Sequence, residues 1–347
     1  MHDGKTLAKV TIKRDRQYGA ESAQPERMPW FVSWVDDYVP SKGEQGKALG
    51  DWAIMNWDTA LEKLAEMALP EPWDFDVPDG QRPTFAILRN YLSYTFYKLR
   101  QEGEVLESES HGIAAFNTGL VGETYEPIFA CFVPARAEQK WRFSGFCKAG
   151  AQGQGKALVR AFNPLPERAR YFRSKQDLLY DPEYPFYIDH DHILIDNIHR
   201  LPLSFLREEL RSDDEALAIL DDIESSSSQQ NQSELFDDIR AIVENNSRLL
   251  RGFISHFDDA VALARKRAEW NYRTTIPTFY PKKDIMCLLL PLDLTEDGIP
   301  DVALVMEPME TKAYLGQTIL TMEMAYKNAR LVCRPDSDWL DVKVCGR

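Results

Sequence analysis

The spacing between apolar residues changes at Gly103, and this change constrains the fold more than any other feature of the chain. Before it, RPTFAILRNYLSYTFYKLRQEGE has apolar residues every three or four positions, which predicts an amphipathic helix. After it, the runs GIAAFNTGL, PIFACFVP and KWRFSGFCK are short, rich in apolar or aromatic residues and separated by turn residues, which predicts antiparallel strands. The sequence therefore predicts an α+β fold with a mixed, largely antiparallel sheet flanked by helices.

The same two patterns extend over the rest of the chain. IMCLLLPLDL and DVALVMEP predict two further strands, joined by the turn-rich TEDGIP. The other predicted helices are DTALEKLAEMAL from Asp58, residues 205–222, a long helix that begins at Ser233 or Glu234 and has an apolar stripe as far as Ala264, and the segment from Thr318 to Cys333.

Local composition predicts the domain boundaries. Residues 1–57 sustain no apolar period, so we expect an arm or small appendage there. Residues 58–340 are predicted to form a single α+β domain, interrupted near 224–233 by the low-complexity linker ESSSSQQNQS, and residues 341–347 to form a tail.

Composition excludes several classes of protein. With 44% hydrophobic and 11% aromatic residues the chain can build a core, so wholesale disorder is excluded. A formal net charge of −14 argues against diffuse coating of nucleic acid, although it leaves room for a local basic groove. Five cysteines without a C-x-x-C pair predict reduced thiols, and the apolar runs are too short to cross a bilayer. We therefore expect a cytoplasmic protein without a membrane partner.

Histidines and aspartates gather in YPFYIDHDHILIDNIHR, residues 184–200. If residues 187–196 form a strand, alternate side chains share a face, and His190, His192 and Asp196 lie together on one side. Two imidazoles at positions i and i+2, with a carboxylate, suit Zn²⁺ or a similar divalent metal ion. The plain alternative is a polar strand end.

The same segment also suits acid–base chemistry without a metal. His192 would exchange protons near neutral pH, and Asp191 or Asp196 would orient its ring. Arg200 would hold an anion. These four residues are the candidate catalytic residues, and the alternative for His192 is a hydrogen-bonded structural histidine.

Basic and aromatic residues alternate in RKRAEWNYRTTIPTFYPKK, residues 265–283. Such interleaving suits a single strand or a nucleotide, because guanidinium and ammonium groups bind phosphates while rings stack on bases. In the alternative interpretation, RKR caps the C-terminus of a helix and the rings fill the core. The residues concerned are Arg265, Lys266, Arg267, Trp270, Tyr272, Arg273, Phe279, Tyr280, Lys282 and Lys283.

FNTGL places Asn117, Thr118 and Gly119 at the end of a predicted strand. A turn at this position can offer backbone amides and a carboxamide to a ligand. A plain hairpin turn is the alternative.

Several longer strings, in this order, resemble a domain family of unknown function found in bacterial and fungal proteins. They are RPTFAILRNYLSYTFYKL, FNTGL, DHILIDNIHRLP, WNYRTTIPTFYP, LLLPLDL, TMEMAYKNARL and RPDSDWL, and they span about residues 80 to 340. His190 departs from the family pattern, which favours His192 acting without a metal. The positions that match are Asn117, Thr118, Gly119, Asp191, His192, Asp196, Asn197, Arg200, Asn271, Tyr272, Thr274, Pro277, Tyr280, Asn328, Arg330, Asp336 and Trp339.

The resemblance implies an RNA-associated role, since members of that family are found beside cold-shock or LOTUS-type RNA-binding modules. The sequence has no recognisable cold-shock module of its own. The resemblance therefore implies that an RNA-binding partner domain is either lacking or supplied by a separate protein.

We expect an RNA- or nucleotide-binding domain with a cleft formed by DHILIDN, NYRTT and FNTGL. The leading hypothesis is a phosphoester-processing hydrolase acting on RNA or a nucleotide, in which His192 and Asp196 handle protons or a metal-bound water. The alternatives are a non-catalytic RNA-recognition module that uses the same surface and a protein-interaction scaffold that uses the long helix. The expected ligand-binding residues are Asn117, Thr118, Gly119, Asn197, Asn271, Tyr272, Arg273, Thr274, Tyr280, Lys282 and Lys283.

Overall fold

The structure, a computed structural model, describes residues 48–75, 84–136, 140–226, 228–281 and 283–342. Most of the expected N-terminal arm and most of the expected C-terminal tail lie outside these ranges, as does Lys282.

Two five-stranded sheets form the framework. Sheet A consists of β1 (Ala53–Ile54), β2 (Leu106–Ser108), β3 (Ile113–Val121), β4 (Pro127–Pro134) and β5 (Trp141–Lys148), in the spatial order β1-β5-β4-β3-β2. Sheet B consists of β6 (Phe186–Ile188), β7 (Ile276–Tyr280), β8 (Ile285–Leu292), β9 (Val302–Met309) and β10 (Ala313–Thr321), in the order β6-β10-β9-β8-β7. In each sheet one edge strand runs parallel to its neighbour, β1 beside β5 and β6 beside β10, and the other described pairs are antiparallel.

Helices lie between the sheets and outside both of them. They are α1 (Leu49–Trp52), α2 (Trp57–Met67), α3 (Ala86–Glu102), α4 (Gln154–Ala161), α5 (Leu203–Glu209), α6 (Asp214–Ser225), α7 (Gln229–Asn245), α8 (Ser247–Trp270) and α9 (Met322–Val332).

One buried cluster connects the two sheets. It contains Leu88 of α3, Phe116 of β3, Leu289 of β8 and Ala325 of α9, so sheets A and B pack on opposite sides of one helical layer. We call this cluster the shared core.

The outer faces of both sheets are covered by other helices. Leu290 of β8 packs in a second cluster with Phe253 of α8, and Cys131 of β4 packs in a third with Leu158 of α4. The layers are therefore helix, sheet, helix, sheet, helix. Strand β8 is apolar along its whole length, IMCLLLPL, because both of its faces are buried.

The predicted α+β class with helix-flanked, mixed sheets is confirmed, with two sheets in place of one. Strand β4 coincides with the predicted run PIFACFVP. Residues 48–57, expected in an appendage, instead contribute Leu49 and Trp52 to the shared core, so they are part of the domain.

The predicted single helix from residue 233 onward is wrong. Helix α7 ends at Asn245. Asn246 then caps α8, because its Oδ1 accepts from the backbone N–H groups of Arg248 and Leu249 at 3.1 and 3.2 Å. The expected linker is also largely helical, since α6 ends at Ser225 and α7 begins at Gln229.

Two other predicted helices are interrupted or shortened. Residues 205–222 divide into α5 and α6, because Asp213 starts a new helix by accepting from the backbone N–H of Ala216 at 3.0 Å. Residues Thr318 to Thr321, expected in the last helix, form the end of β10. Among the described helices, none is long and apolar enough to cross a membrane.

Candidate functional site

The segment after β6 forms a wide helical turn, so the predicted strand over residues 187–196 is wrong. Only Phe186–Ile188 pairs with β10, and residues Asp191–Asp196 then form a π-helical turn. Its centre holds three consecutive buried residues, Ile193, Leu194 and Ile195. A strand points consecutive side chains to opposite faces, whereas this turn packs all three into the cluster outside sheet B.

The turn separates the two histidines that a strand would bring together. His190 Nε2 lies 2.7 Å from Asp258 Oδ1 on α8, whereas His192 Nδ1 lies 3.1 Å from Asp196 Oδ2. Each imidazole therefore has its own carboxylate. Within the described ranges, no group of three or more histidine, cysteine or carboxylate side chains is placed to hold a metal ion.

The expected pairing of His192 with Asp196 is present, but the neighbouring candidates have structural contacts. Arg200 Nη1 donates to Thr318 Oγ1 at 3.2 Å and to Ile319 O at 3.1 Å, which fixes the turn to β10. Asn197 is buried and its Nδ2 donates to His192 O at 2.7 Å. Asp191 is exposed to solvent.

Burial and neighbouring positive charges keep a nearby histidine neutral. Burial, together with the guanidinium groups of Arg200 and Arg240, lowers the pKa of His199 to about 3. The ring of His199 packs edge-on against Phe236, at 6.4 Å between centroids. This histidine is therefore a neutral packing group, not a proton donor near neutral pH.

The FNTGL segment forms a bulge in β3, and its polar groups bind to the protein itself. Asn117 Oδ1 accepts from the backbone N–H of Gly119 at 2.9 Å, and Thr118 Oγ1 donates to Ile128 O at 2.8 Å. The pairing register with β4 shifts between Asn117 and Val121. A local turn, not a ligand, therefore accounts for the side chains of Asn117 and Thr118.

Two aromatic side chains at the end of α8 project into solvent. Trp270 is 93% exposed and Tyr272 is 65% exposed, which is rare for residues of this size. Asn271 Oδ1 accepts from the backbone N–H of Arg273 at 3.1 Å, and this contact starts the short 3₁₀ turn that leads into β7. The chain geometry thus holds both rings away from the core.

Cationic residues flank these rings along the chain. Lys266 and Arg267 precede Trp270 on the last turns of α8, and Arg273 follows it. Arg273 Nη2 donates to Asp336 Oδ2 at 2.9 Å, while Arg267 Nη2 lies 3.8 Å from Asp293 Oδ2. Lys266 is exposed and has no ion-pair partner among the residues that the structure describes.

A cavity of about 540 Å³ lies beside the Trp270 ring, with Trp339 on its wall. Trp339 Nε1 donates to Thr274 O at 2.8 Å, which fixes the C-terminal segment against the turn. We call the whole region the α8-end surface. It consists of Lys266, Arg267, Trp270, Asn271, Tyr272, Arg273, Thr274 and Trp339.

The remaining candidates of the late segment lie away from this surface. Tyr280 is partly buried against the shared core, and Lys283 Nζ binds Glu307 Oε2 at 2.7 Å. Lys282 is outside the described residues.

The expected common cleft of the three segments is not formed. The His192 turn follows β6 at one edge of sheet B, and the α8-end surface precedes β7 at the opposite edge. Four strand spacings separate these edges, which is roughly 19 Å. Asp258, which contacts His190, is twelve residues before Trp270, or about 18 Å along α8. FNTGL belongs to sheet A, and its Gly119 shares a different cavity with Pro277 of β7.

Sequence reasoning recognised the basic and aromatic run but did not single out Trp270, Lys266, Arg267 or Trp339 as ligand-binding residues. A signal for Trp270 was present in the helical periodicity. The buried positions of α8 near its end are Val261, Ala264 and Ala268, and position 270 falls on the other face. Trp339 carries no comparable signal, because its position depends on a contact with a segment far away in sequence.

The fold and this surface define an α+β protein of two helix-flanked sheets with an exposed basic and aromatic end. The chain belongs to the family described as Domain of unknown function (DUF3825), whose model matches residues 64–339. The comparison with curated proteins and the comparison with solved structures gave no match.

Proposed function

We propose that the protein binds single-stranded RNA or nucleotides through the α8-end surface, as a non-catalytic recognition module. The observation that supports this most is the 93% exposure of Trp270 between cationic residues. Base stacking on an aromatic ring contributes about 1–3 kcal/mol per base and tolerates any base sequence.

Charge supports the same proposal. The chain has a net charge of −14, yet Lys266, Arg267 and Arg273 lie within eight residues around two exposed rings. The carboxylate that Arg273 contacts, Asp336, is 95% exposed and forms a weak surface pair that a phosphate can replace. Three phosphate contacts on a single strand give a slope of about −2 for the logarithm of affinity against the logarithm of salt concentration.

Binding to a fluorescein-labelled, unstructured RNA oligonucleotide, followed by fluorescence anisotropy at several salt concentrations, tests the proposal. We expect Trp270→Ala to weaken binding at least about fivefold, since one stacked base is lost. Arg273→Ala should weaken binding and make the salt slope less steep by close to one phosphate contact. The matched control is Tyr125→Asn, which removes an aromatic side chain that is 74% exposed in sheet A's β3–β4 turn.

Two outcomes would contradict the proposal. One is the absence of RNA binding by the unmodified protein at low salt. The other is that Trp270→Ala and Tyr125→Asn both bind the RNA as tightly as the unmodified protein.

A phosphoester-processing hydrolase is the second candidate, and one contact favours it. His192 Nδ1 lies 3.1 Å from Asp196 Oδ2 on a π-helical turn, and such turns occur frequently at functional sites. Because roughly 19 Å of sheet separates this pair from the α8-end surface, it would act on a part of the strand away from the stacked bases. A His192→Ala variant that loses RNA cleavage and keeps RNA binding supports this candidate, and a protein that cleaves no RNA contradicts it.

The proposal extends to a partner and a location. We propose a separate RNA-binding protein as partner, because the resemblance noted in the sequence concerns domains found beside such modules. We also propose a cytoplasmic location. What supports this location is the sequence pattern of five cysteines without a C-x-x-C pair, which is typical of a reducing compartment.

A further inference from the structure

A larger cavity, of about 750 Å³, lies beside the shared core and is separate from the α8-end surface. We call it the central cavity. Tyr91 and Thr95 of α3 form one wall, Gly119 of β3 and Pro277 of β7 contribute from the two sheets, and the segment 167–172 closes another side. Its volume is within the range of sites that enclose small organic molecules.

The inner wall of the central cavity offers neutral hydroxyl groups. Thr95 Oγ1 lies 3.1 Å from the Tyr171 hydroxyl, and burial raises the pKa of both Tyr171 and Tyr91. The guanidinium of Arg330 lies over the Tyr91 ring at 4.5 Å, but Glu71 neutralises its charge through a bidentate ion pair. The inner wall therefore presents hydrogen-bonding groups without a net charge.

The rest of the wall is largely apolar. Phe172, Leu178, Leu331 and Val332 line the central cavity together with Pro277. Phe172 is 41% exposed, so solvent reaches this part of the wall. Apolar walls with a few placed polar groups are the usual composition of a small-molecule site.

Charged groups of both signs lie at the solvent side of the central cavity, where Glu167, Arg168 and Arg170 line it and Glu102 and Glu104 accept from backbone N–H groups of the same segment. Arg168 lines the cavity and is exposed, and it has no hydrogen-bond or ion-pair partner among the residues that the structure describes. Its neighbour Arg170, by contrast, forms an ion pair with Glu167. A ligand with its body in the cavity and an anionic group at the opening would meet Arg168.

We propose that the central cavity binds a small organic anion with an aromatic body, whose ring system packs between Phe172, Pro277 and Leu331 and whose anionic group pairs with Arg168. This site is independent of the proposed RNA-binding surface. Neither a failure to bind RNA nor a loss of Trp270 affects it.

Two dyes with the same ring system test the proposal on the full chain. 8-Anilinonaphthalene-1-sulfonate carries an anionic group, and N-phenyl-1-naphthylamine lacks it. We expect saturable binding of the sulfonate with one site per chain, measured by dye fluorescence. Arg168→Ala should weaken binding of the sulfonate by up to about fivefold and leave the neutral dye unchanged, because one partly exposed charge pair contributes up to about 1 kcal/mol.

A substitution that fills the central cavity tests whether the dyes bind there. Ala169 lines the central cavity, so Ala169→Phe should reduce binding of both dyes at least tenfold. Val159→Phe is the matched control, since Val159 is 44% exposed on α4, beyond the opposite face of sheet A. Trp270→Ala should leave dye binding unchanged, which separates this site from the α8-end surface.

Alkylation of Cys333 provides a second measurement, which needs no substitution in the protein. Cys333 lines the central cavity and is the exposed residue among the four described cysteines, although burial of its thiol raises the pKa, whereas Cys131, Cys147 and Cys287 are buried. Bound sulfonate dye should slow alkylation of Cys333 by iodoacetamide, read by peptide mass spectrometry. The proposal is overturned if Cys333 is alkylated at the same rate with saturating dye, or if Arg168→Ala weakens both dyes equally.

Discussion

Arg330 of α9 and Glu71, which are 259 residues apart in the sequence, form a bidentate ion pair at the edge of the shared core. Arg330 Nε lies 2.5 Å from Glu71 Oε1 and Nη2 lies 2.9 Å from Oε2, and both side chains are less than a tenth exposed. The guanidinium also lies over the rings of Trp73 and Tyr91. The pair joins the last helix to the segment between α2 and α3.

Removing one member of this pair should destabilise the fold. We expect Arg330→Ala to lower the free energy of unfolding by about 3–5 kcal/mol, because Glu71 would remain as a buried charge without a partner. Urea unfolding followed by circular dichroism measures the loss. A double variant, Glu71→Leu with Arg330→Met, should recover much of it, and a double variant less stable than Arg330→Ala would contradict this account.

The backbone conformation at position 119 and the side chain of Tyr91 both require a glycine there. The φ of Gly119 is +75°, and a Cβ at this position would lie 2.4 Å from the Tyr91 hydroxyl. Gly119→Ala should therefore lower the free energy of unfolding by about 2–5 kcal/mol, the sum of left-handed strain and overpacking.

Matched variants separate these two contributions. In a Tyr91→Phe background the contact with the hydroxyl is absent, so Gly119→Ala should cost only the backbone strain of about 1–2 kcal/mol. Gly150→Ala should cost the same, because Gly150 has a φ of +78° and open space around its Cβ position. Equal losses for Gly119→Ala in both backgrounds would show that the hydroxyl contact has no effect on stability.

The neutral state of His199 predicts a loss of stability in acid. Its pKa is about 3 in the folded chain, below its ordinary value of 6.5. The contribution of His199 to the free energy of unfolding is therefore complete above about pH 6.5. It falls by up to about 1.4 kcal/mol per pH unit as the pH decreases toward 3, because only the unfolded state takes up the proton.

The variant His199→Gln isolates this effect from the titration of carboxylates. We expect the difference in unfolding free energy between the unmodified protein and the variant to be constant above about pH 6.5 and to shrink progressively below it. Urea unfolding at a series of pH values provides the measurement. A difference that stays constant down to about pH 4 would mean that His199 titrates normally in the folded chain.

Asn246 should be a stabilising cap. Its Oδ1 accepts from two backbone N–H groups at the start of α8, so Asn246→Ala should lower the free energy of unfolding by about 1 kcal/mol. Asn245→Ala, one residue earlier at the exposed end of α7, should change it by less than about 0.5 kcal/mol. Chemical denaturation compares the two, and equal effects would argue against the cap.

Elements with a complete local signal could be predicted from the sequence, and elements defined by distant contacts could not. PIFACFVP is apolar, bounded by prolines and folds as β4. By contrast, β10 passes directly into α9 at Thr321, whose Oγ1 accepts from the backbone N–H of Met324 at 3.4 Å. No glycine or proline marks that junction, so the sequence pattern places the start of the last helix several residues too early.

The candidate site shows the same division. The basic and aromatic run at the end of α8 is visible in the sequence, and so is the local pairing of His192 with Asp196. Their separation is not visible, because it depends on the strand order of sheet B, which places β6 and β7 at opposite edges. The strand expected over residues 187–196 would place consecutive side chains on opposite faces, whereas Ile193, Leu194 and Ile195 are buried together in a π-helical turn.

The helical layer between the sheets has a consequence for any attempt to divide the chain. Its α2 and α3 come from the N-terminal half and its α9 from the C-terminal half, and both sheets bury their inner faces against it. A fragment that ends after β5 would expose the apolar inner face of sheet A, and the complementary fragment would expose the apolar inner face of sheet B. Each half should therefore aggregate when produced alone and stay dispersed only when both are produced together.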